Sequence, residues 1–356
     1  MKVKLRDVSN IIMGQSPDSS TYNTENIGLP FFQGNADFGE LNPIAKTWCS
    51  APIKIAYKNY ILISVRAPIG ALNIAAETCC IGRGLAALDV NNKICTQKYL
   101  WYLLEAKKNE LISKGTGSTF KAISKNILSE MEFNIPPVRE QELCTKTLDV
   151  VFCLIRLKKE QLDKLDLLVK SRFIEMFGEN KSKNHFGKLS DVCLDIIAGG
   201  DRPNEISYEQ TEEYCYPVFA NARTNNGLLY YAKSYKIASK AVTIAARGAT
   251  VGFTAIRDSY FTPIVRLITL IPNESMNVYY MKYYIDYNLR IVGSGSAQPQ
   301  LTVPYIKNLK ILIPTSDMQN QFASLVMQVD KSKLAIQQSL DELETLKKSL
   351  MQQYFG

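Results

Sequence analysis

The sequence predicts an α+β protein in which two similar globular domains are joined by two long α-helices. Three observations support this fold class. The 356-residue chain repeats about half of its own sequence, so the architecture of the first half should recur in the second. Each half contains short β-branched and aromatic runs bounded by Gly, Pro and Asn, as strands do. Each half ends in a long segment with heptad-like apolar spacing, which predicts a long helix.

The opening of the chain returns near its middle. KLRDV at residues 4–8 recurs as KLSDV at 188–192, and NIIMG at 10–14 recurs as DIIAG at 195–199. Ordered matches of this kind are hard to produce by chance. We therefore expect the first globular domain at residues 1–138 and the second at 188–314.

The closing segments of the two halves match best. LDLLVKSRFIEMFG at 165–178 aligns without gaps on LETLKKSLMQQYFG at 343–356. The long helices should accordingly occupy residues 139–178 and 315–356. The stretch 179–187 between the halves contains Asn, Lys and Ser, which predicts a linker.

The middle of each half carries a matching run and a matching loop. ILISVRAPIG, which contains Arg66, corresponds to VTIAARGATVG, which contains Arg247. A loop of small residues follows later in each half, GTGS at 115–118 and GSGS at 293–296. The strands predicted most clearly span Tyr60 to Val65, Ala241 to Ala246 and Thr262 to Ile271.

Apolar residues on the two predicted helices recur in steps of three and four, or every seven residues. The predicted helix-pair interface comprises Leu148, Val151, Ile155, Leu162, Leu165, Val169, Phe322, Val329, Ile336, Leu343 and Leu350. A helix with one apolar stripe needs a partner to bury it. The helix of the other half is the nearest candidate, and another protein is the alternative because polar residues interrupt the stripe. Helices of this length would extend about 55 to 60 Å, which makes a stiff spacer.

Composition excludes several classes of protein. Hydrophobic residues make up 46% and charged residues 21% of the chain, as in folded globular proteins rather than disordered or fibrous ones. The eight cysteines contain no CxxC pair, and the chain has a single histidine, His185. These counts argue against zinc sites, disulfide frameworks and Ser-His-Asp catalysis.

Charge and hydropathy bear on partners and location. The net charge of +8 favours nucleic acid or another polyanion as a partner. No uncharged stretch approaches the roughly 20 apolar residues of a membrane-spanning helix. The N-terminus MKVKLRDVSN carries charge where a signal peptide would be apolar. We therefore expect a cytoplasmic protein with no membrane partner.

The combination of these segments resembles the specificity subunits of type I restriction-modification systems. The openings KLRDV and KLSDV, the segments around Arg66 and Arg247, the small-residue loops and the long helices ending in Phe-Gly occur in the same order twice. The resemblance covers nearly the whole chain. It implies that residues 1–138 and 188–314 are target-recognition domains and that the two long helices pack as an antiparallel coiled coil.

The resemblance also implies function and partners. Such a subunit binds a bipartite double-stranded DNA target, one half-site for each recognition domain, and has no catalytic centre of its own. It docks two modification (methyltransferase) subunits and the restriction (endonuclease/translocase) subunits. No cofactor is expected on this chain, because S-adenosylmethionine, ATP and Mg belong to those partner subunits.

The residues themselves offer no catalytic motif. The sequence lacks GxxxxGK[ST], [DN]PP[YF] and a GxGxxG following a strand. Two rival functions remain open at this point. One is a coiled-coil interaction scaffold without a DNA role, which absence of DNA affinity would favour. The other is a stand-alone DNA-modifying enzyme, which activity of the purified chain would favour.

Specific DNA contact needs cations for phosphates and Arg, Lys, Asn or Gln for base edges. Such residues follow predicted strands or lie in the small-residue loops. The predicted DNA-binding residues are Gln33, Asn35, Arg66, Lys114, Ser118, Lys121, Lys125, Arg202, Asn221, Arg223, Arg247, Ser296, Gln298 and Gln300.

Arg66 and Arg247 allow two interpretations. Their matching positions suit a DNA contact that both halves make. They also suit a structural arginine that pairs with a carboxylate of its own domain. Because two domains that read different half-sites would share this residue, the sequence favours the structural interpretation.

Overall fold

The computed structural model describes residues 1–116, 121–178, 185–289 and 300–356. The chain divides into two compact units. Unit 1 comprises Met1–Lys158 and Ser339–Gly356, and unit 2 comprises Lys159–Gln338. Each unit thus contains one globular part and segments of both long helices. This division differs from the predicted segments, in which each long helix is separate from the globular domains.

Unit 1 begins with eleven strands and the first four helices among its described residues. The strands are β1 (Lys2–Lys4), β2 (Ser9–Met13), β3 (Tyr22–Asn23), β4 (Leu29–Phe32), β5 (Trp48–Cys49), β6 (Ile55–Ala56), β7 (Ile61–Ser64), β8 (Leu72–Ile74), β9 (Cys79–Ile81), β10 (Leu85–Val90) and β11 (Glu132–Asn134). The helices are α1 (Leu5–Val8), α2 (Gln97–Ala106), α3 (Lys108–Lys114) and α4 (Lys125–Ser129), followed by the long α5 (Val138–Phe177).

The strands of unit 1 form three sheets. Two of them have the orders β2-β10-β7-β8 and β3-β5-β4-β9-β6, and β1 pairs with β11. Side chains of β7 are buried along the whole strand because both of its faces are covered. One face packs against α2 through Tyr99 and Leu103, and the other packs against Phe32 of the second sheet.

Unit 2 repeats this plan with the remaining elements. Its strands are β12 (Phe186–Lys188), β13 (Cys193–Ala198), β14 (Ile206–Ser207), β15 (Tyr216–Phe219), β16 (Leu228–Ala232), β17 (Ala241–Ala245), β18 (Thr254–Arg257), β19 (Thr262–Pro263), β20 (Leu267–Pro272) and β21 (Lys310–Leu312). Its helices are α6 (Val278–Asn288) and α7 (Val303–Lys307), and the long α8 (Ser316–Phe355) begins in unit 2 and ends in unit 1. Strand β12 begins inside the predicted linker.

The repeat found in the sequence is confirmed by the sheet topology. The order β13-β20-β17-β18 in unit 2 matches β2-β10-β7-β8 in unit 1. The pair β12-β21 matches β1-β11. In the remaining sheets, β15 runs parallel to β19 as β4 does to β9. The α+β class predicted from the sequence is therefore correct for both units.

The strand predicted over Thr262 to Ile271 is wrong as a single element. The chain forms β19, turns, and resumes as β20. Arg266 lies in the turn with a left-handed φ of 71°, a conformation that no extended strand contains. Its carbonyl oxygen accepts a hydrogen bond from the Ala246 N–H at 2.8 Å. The apolar run hid the turn because residues on both sides of it are buried.

Within unit 1, the start of α5 packs against the end of α8. Leu148 and Phe355 belong to one buried cluster, and Lys347 lies 4.6 Å above the ring of Phe152. The two segments run antiparallel, because the contacts move backwards along α8 as they move forwards along α5. Tyr99 of α2 joins the cluster, with its ring centroid 5.2 Å from that of Phe355.

Within unit 2, the end of α5 packs against the start of α8 in the same manner. Phe173 and Phe177 contact Phe322, with ring centroids 5.4 and 5.7 Å apart. Farther along, Lys333 forms an ion pair with Asp166. The antiparallel pairing of the two long helices is thus confirmed in each unit, and an external partner is not needed to pair them.

The predicted interface residues differ in burial. Fully buried are Leu148, Val151, Ile155, Val169, Phe322 and Val329. Half-buried are Leu162, Leu165, Ile336, Leu343 and Leu350. Three further buried aromatic residues at the ends of the pair lie outside the predicted set, namely Phe173, Phe177 and Phe355.

A buried glutamine fixes the first turn of each long helix to its globular part. In unit 1, the amide nitrogen of Gln141 donates to the carbonyl oxygens of Ile94 and Pro136, and its Oε1 accepts from the Thr96 N–H at 2.8 Å. In unit 2, Gln319 makes the corresponding three bonds. Both side chains are at most 1% exposed.

We expect Gln141→Ala to lower the free energy of unfolding by about 2 to 3 kcal/mol, because it leaves buried backbone groups without partners. Urea unfolding followed by circular dichroism measures the loss. The adjacent exposed Glu142→Ala is the matched control and should change stability by less than about 0.5 kcal/mol. Equal effects of the two substitutions would contradict the role of the glutamine.

No helix in the described part of the chain is long and apolar enough to cross a bilayer.

Candidate nucleic-acid interface

Four turns and one returning segment of unit 1 meet at one edge of its sheets. We call this the turn edge of unit 1, and it comprises residues 13–16, 33–35, 66–70, 82–84 and 121–123. Backbone hydrogen bonds join these pieces at 2.8 to 3.1 Å, from Gly14 to Leu85, Gln15 to Ile81, Gly82 to Phe32, Gly84 to Gln33, Val65 to Gly84 and Ile123 to Val65.

Close backbone approach at this edge requires glycine. A Cβ at Gly14 would lie 2.2 Å from the carbonyl oxygen of Gly82, and a Cβ at Gly84 would lie 2.4 Å from that of Gln33. Nothing could move away at either position, because the clashing atoms are backbone. The glycines therefore fix how closely the turns pack and where their side chains emerge.

Unit 2 builds the same edge from the corresponding residues. The turn edge of unit 2 comprises residues 198–200, 220–223, 247–252, 264–266 and 300–301. Its backbone bonds, at 2.7 to 2.9 Å, run from Gly199 to Leu267, Ile264 to Phe219, Ala246 to Arg266 and Leu301 to Ala246. Each bond has its counterpart in unit 1.

The predicted residues Arg66 and Arg247 occupy the same position in the two edges. Each follows a central strand, and each pairs through its backbone with the segment that returns after the small-residue loop, at Ala122 and Gln300 respectively. Among the described residues, no carboxylate forms an ion pair with either guanidinium group. The carboxylate partner that the structural interpretation calls for is thus not found among the described residues.

The backbone of Arg247 is fixed by a hydrogen bond from the Asn221 side chain. The Asn221 amide nitrogen donates to the carbonyl oxygen of Arg247 at 2.6 Å. The Oδ1 of Asn221 and the Nε of Arg247 are both buried and lack a hydrogen-bond partner among the described residues. Asn221 thus acts on the backbone of its own unit, whereas unit 1 has Gly34 at the equivalent place.

A buried arginine supports the turn at 220–223. Arg257 is 3% exposed, its guanidinium lies 3.9 Å from the ring centroid of Phe219, and its Nε donates to the Thr243 hydroxyl at 3.0 Å. Burial lowers the pKa of Arg257 to about 10. Unit 1 has Ala75 at this position of the sheet, as the strand registers show, so the support is particular to unit 2.

Two arginines of the turn edges are not among the predicted DNA-binding residues. Arg83 is exposed in the turn at 82–84, and Arg266 is exposed in the turn at 264–266. The sequence does contain a signal for them, because in each half an arginine follows a short apolar strand within three residues. Gln15, exposed at the edge of unit 1, is likewise outside the predicted set.

Several predicted residues lie at or near the edges. Gln33 and Lys121 are exposed at the edge of unit 1, and Gln300 is exposed at that of unit 2. Arg223 is exposed, with its guanidinium 5.7 Å from the ring centroid of Phe253. Lys114, just before the small-residue loop, forms an ion pair with Glu110 at 2.7 Å.

Other predicted residues are placed elsewhere within their units. Lys125 lines a pocket of about 440 Å³ that also contains Arg6 and Asp89. Asn35 lines a groove of about 920 Å³ beside α2 and α5. Arg202 lies 5.7 Å from the ring centroid of Tyr230 on the sheet β14-β16-β15-β19. The predicted residues Ser118, Ser296 and Gln298 lie outside the described residues.

The described residues contain no group of three or more His, Cys, Asp or Glu side chains that could hold a metal ion. The four pockets described in the two units are open grooves lined by mixed polar and apolar side chains. The turn edge recurs in both units, and in each its arginine has no ion-pair partner within the described part of the chain.

A family model described as the type I restriction modification DNA specificity domain matches residues 1–167 and 181–345. The two matches follow the internal repeat and together cover most of the chain. The chain therefore belongs to the family of type I restriction-modification DNA specificity proteins, and the resemblance drawn from the sequence is confirmed.

Curated relatives carry the same family name. The chain is 40% identical over 156 residues to the putative type I restriction enzyme MjaX specificity subunit of Methanocaldococcus jannaschii. It is 27% identical over 245 residues to a putative type I specificity subunit of Mycoplasma pneumoniae. These matches span 37% and 65% of the relatives' own lengths and 44% and 67% of this chain.

Solved structures share the fold over the full chain. The S subunit of a type I restriction-modification system from M. genitalium matches with a TM-score of 0.67 at 15% identity, covering 100% of this chain and 96% of that one. A chain from a study of type I complex assembly and conformational transition matches with a TM-score of 0.61 at 18% identity, covering 100% and 97%. At these identities the likeness establishes the fold.

Proposed function

We propose that this chain is the DNA sequence-specificity subunit of a type I restriction-modification complex. In this role it binds a bipartite double-stranded DNA target, with one half-site at the turn edge of each unit. The observation that carries the proposal is that two independent units build the same edge and each presents an arginine there without a carboxylate partner among the described residues.

The side chains at the edges have the chemistry that DNA recognition needs. Arginine binds phosphates and forms paired hydrogen bonds with guanine. Gln forms paired hydrogen bonds with adenine in the major groove. Unit 1 presents Gln15, Gln33 and Arg83 around Arg66, all of them exposed. The net charge of +8 adds the nonspecific attraction that brings a protein to DNA.

The partners follow from the family role. The chain would dock two modification subunits, which carry S-adenosylmethionine and methylate adenine, and the restriction subunits, which use ATP and Mg. Catalysis then belongs to those subunits.

Methyl transfer in vitro tests the proposal. The chain is co-purified with the candidate modification subunit from the same source, and transfer of labelled methyl groups from S-adenosylmethionine to DNA is measured. We expect transfer by the complex and none by either component alone. Equal transfer by the modification subunit alone would refute a specificity role, and transfer by this chain alone would establish a catalytic centre instead.

A further inference from the structure

We infer that the arginines shared by the two edges, Arg66 and Arg247, bind DNA phosphates, whereas Arg83 and Arg266 read bases. This division of roles deepens the proposed function and rests on it. It follows from comparing two edges whose backbones are bonded alike but whose side chains differ.

The backbone register makes the comparison exact at the level of single residues. The N–H of Gly82 donates to Phe32 as that of Ile264 donates to Phe219. Gly82 and Ile264 are therefore equivalent. Counting onwards, Arg83 is equivalent to Val265, and Gly84 is equivalent to Arg266.

The bond from the next strand confirms this count. The N–H of Val65 donates to the carbonyl of Gly84, and that of Ala246 donates to the carbonyl of Arg266, at 2.9 and 2.8 Å. Arg66 and Arg247, one residue farther on, are equivalent without any offset.

When the same residue type lies at equivalent backbone positions of both turn edges, it suits a part of the ligand that is the same in both half-sites. The sugar-phosphate backbone is the same in any two half-sites, whereas the base edges differ. Arg66 and Arg247 therefore suit phosphates. Arg83 and Arg266 stand one residue apart on equivalent turns, so the two edges present them from different backbone positions.

Backbone packing explains why the second arginine is displaced. Unit 1 cannot carry a side chain at residue 84 in its present conformation, because its Cβ would lie 2.4 Å from the carbonyl oxygen of Gln33. Unit 2 accommodates Arg266 at this place with a left-handed φ of 71°. Residues other than Gly, Asn and Asp rarely adopt this conformation, and they keep it only where the surroundings impose it.

Three of the four arginines, Arg66, Arg83 and Arg266, are exposed, and Arg247 is half-buried with its Nε inaccessible to solvent. No ion pair or side-chain hydrogen bond within the described part of the chain engages any of the four. For Arg83, the only bond described is that of its backbone N–H to the Ser16 hydroxyl.

Lysine substitution separates the two roles. A phosphate accepts lysine as a point charge, whereas paired hydrogen bonds to one base need the planar fork of arginine. Arg66→Lys and Arg247→Lys should keep the target sequence and most of the affinity. Arg83→Lys should relax one position of one half-site, and Arg266→Lys one position of the other, each by roughly 5- to 150-fold.

Alanine substitution gives a second, independent readout. Arg66→Ala and Arg247→Ala should weaken binding to cognate and unrelated duplexes by the same factor. Each should lower the slope of log affinity against log salt by about 1. Arg83→Ala and Arg266→Ala should instead weaken the cognate duplex more than the unrelated one.

The experiment uses the full chain in complex with its modification subunit. Fluorescence anisotropy gives affinity for cognate and unrelated duplexes at several salt concentrations, and mapping of methylated adenines gives the target of each variant. Thermal unfolding is measured for every variant to show that it is folded. Where an alanine variant does not fold, the lysine variant, which keeps the charge and bulk of the side chain, gives the comparison.

The outcomes distinguish this inference from the proposed function. A wild-type complex that neither binds nor methylates DNA would overturn the proposed function and this inference with it. With an active wild-type complex, a changed base preference in Arg66→Lys or Arg247→Lys would overturn the inference alone. So would unchanged half-sites in both Arg83→Lys and Arg266→Lys.

Discussion

Phe173→Ala is expected to lower the free energy of unfolding by about 3 to 5 kcal/mol, because it leaves a cavity in a fully packed site. Phe173 is 1% exposed. Its ring centroid lies 5.1 Å from that of Phe177, 5.4 Å from Phe322 and 5.3 Å from Tyr287. One side chain thus joins the end of α5, the start of α8 and the tyrosine-rich α6.

Urea unfolding followed by circular dichroism measures this loss. Ile174→Ala is the matched control, because Ile174 is the next residue on the same helix and is 55% exposed. We expect the control to change stability by less than about 1 kcal/mol. Similar losses for the two variants would mean that the aromatic cluster does not hold the helix ends to the globular part.

Lengthening both long helices should change the gap between the half-sites and leave the half-sites themselves unchanged. The change inserts four residues, about one helical turn, after Lys158 of α5 and after Gln337 of α8. The first point is a junction between the two units, and the second lies one residue before the other junction. Four residues add about 6 Å of helix, which corresponds to roughly two base pairs along a duplex.

The reason for this expectation is that the residues at the turn edges are untouched. Mapping of methylated adenines should therefore return the same two half-sites with a longer gap, and the original target should no longer be methylated. A variant without a change in length, in which the exposed Gln161 and Gln338 are replaced by alanine, is the control and should keep the original target. Altered half-sites in the insertion variant would contradict the spacer role.

The duplicated architecture and the two long helices could be predicted from the sequence because their signals extend over many residues. The match of 165–178 to 343–356 spans fourteen aligned positions, and the apolar spacing of the helices continues for several heptads. A pattern spread over so many positions remains recognisable even where single residues depart from it. The same reasoning failed for the short strands, where the run from Thr262 to Ile271 concealed the turn at Arg266.

The turn edges could be predicted only in part. Arg66 and Arg247 stood out because they recur at matching positions. Arg83 and Arg266 did not, because they are offset by one residue, and only the backbone hydrogen bonds show that their turns are equivalent. The structural interpretation of Arg66 and Arg247 requires a carboxylate close to the guanidinium group. Whether a carboxylate lies there depends on the fold and cannot be predicted from the local sequence.

Long-range polar contacts were beyond the sequence as well. Gln141 and Gln319 lie in helical segments with many other polar residues, and nothing in the local pattern separates them from their neighbours. Their role depends on carbonyl groups 47 and 44 residues away, at Ile94 and Ser275. Contacts over such distances become visible only once the globular part and the helix are placed together.

The measurement that tests the central claim most directly is a map of methylated adenines in bulk DNA from cells that contain the candidate modification subunit, with and without this chain. We predict a two-part motif with a fixed gap that is present only when the chain is present. A complex that forms but leaves the same methylation pattern with and without the chain would contradict the claim that the two turn edges recognise DNA.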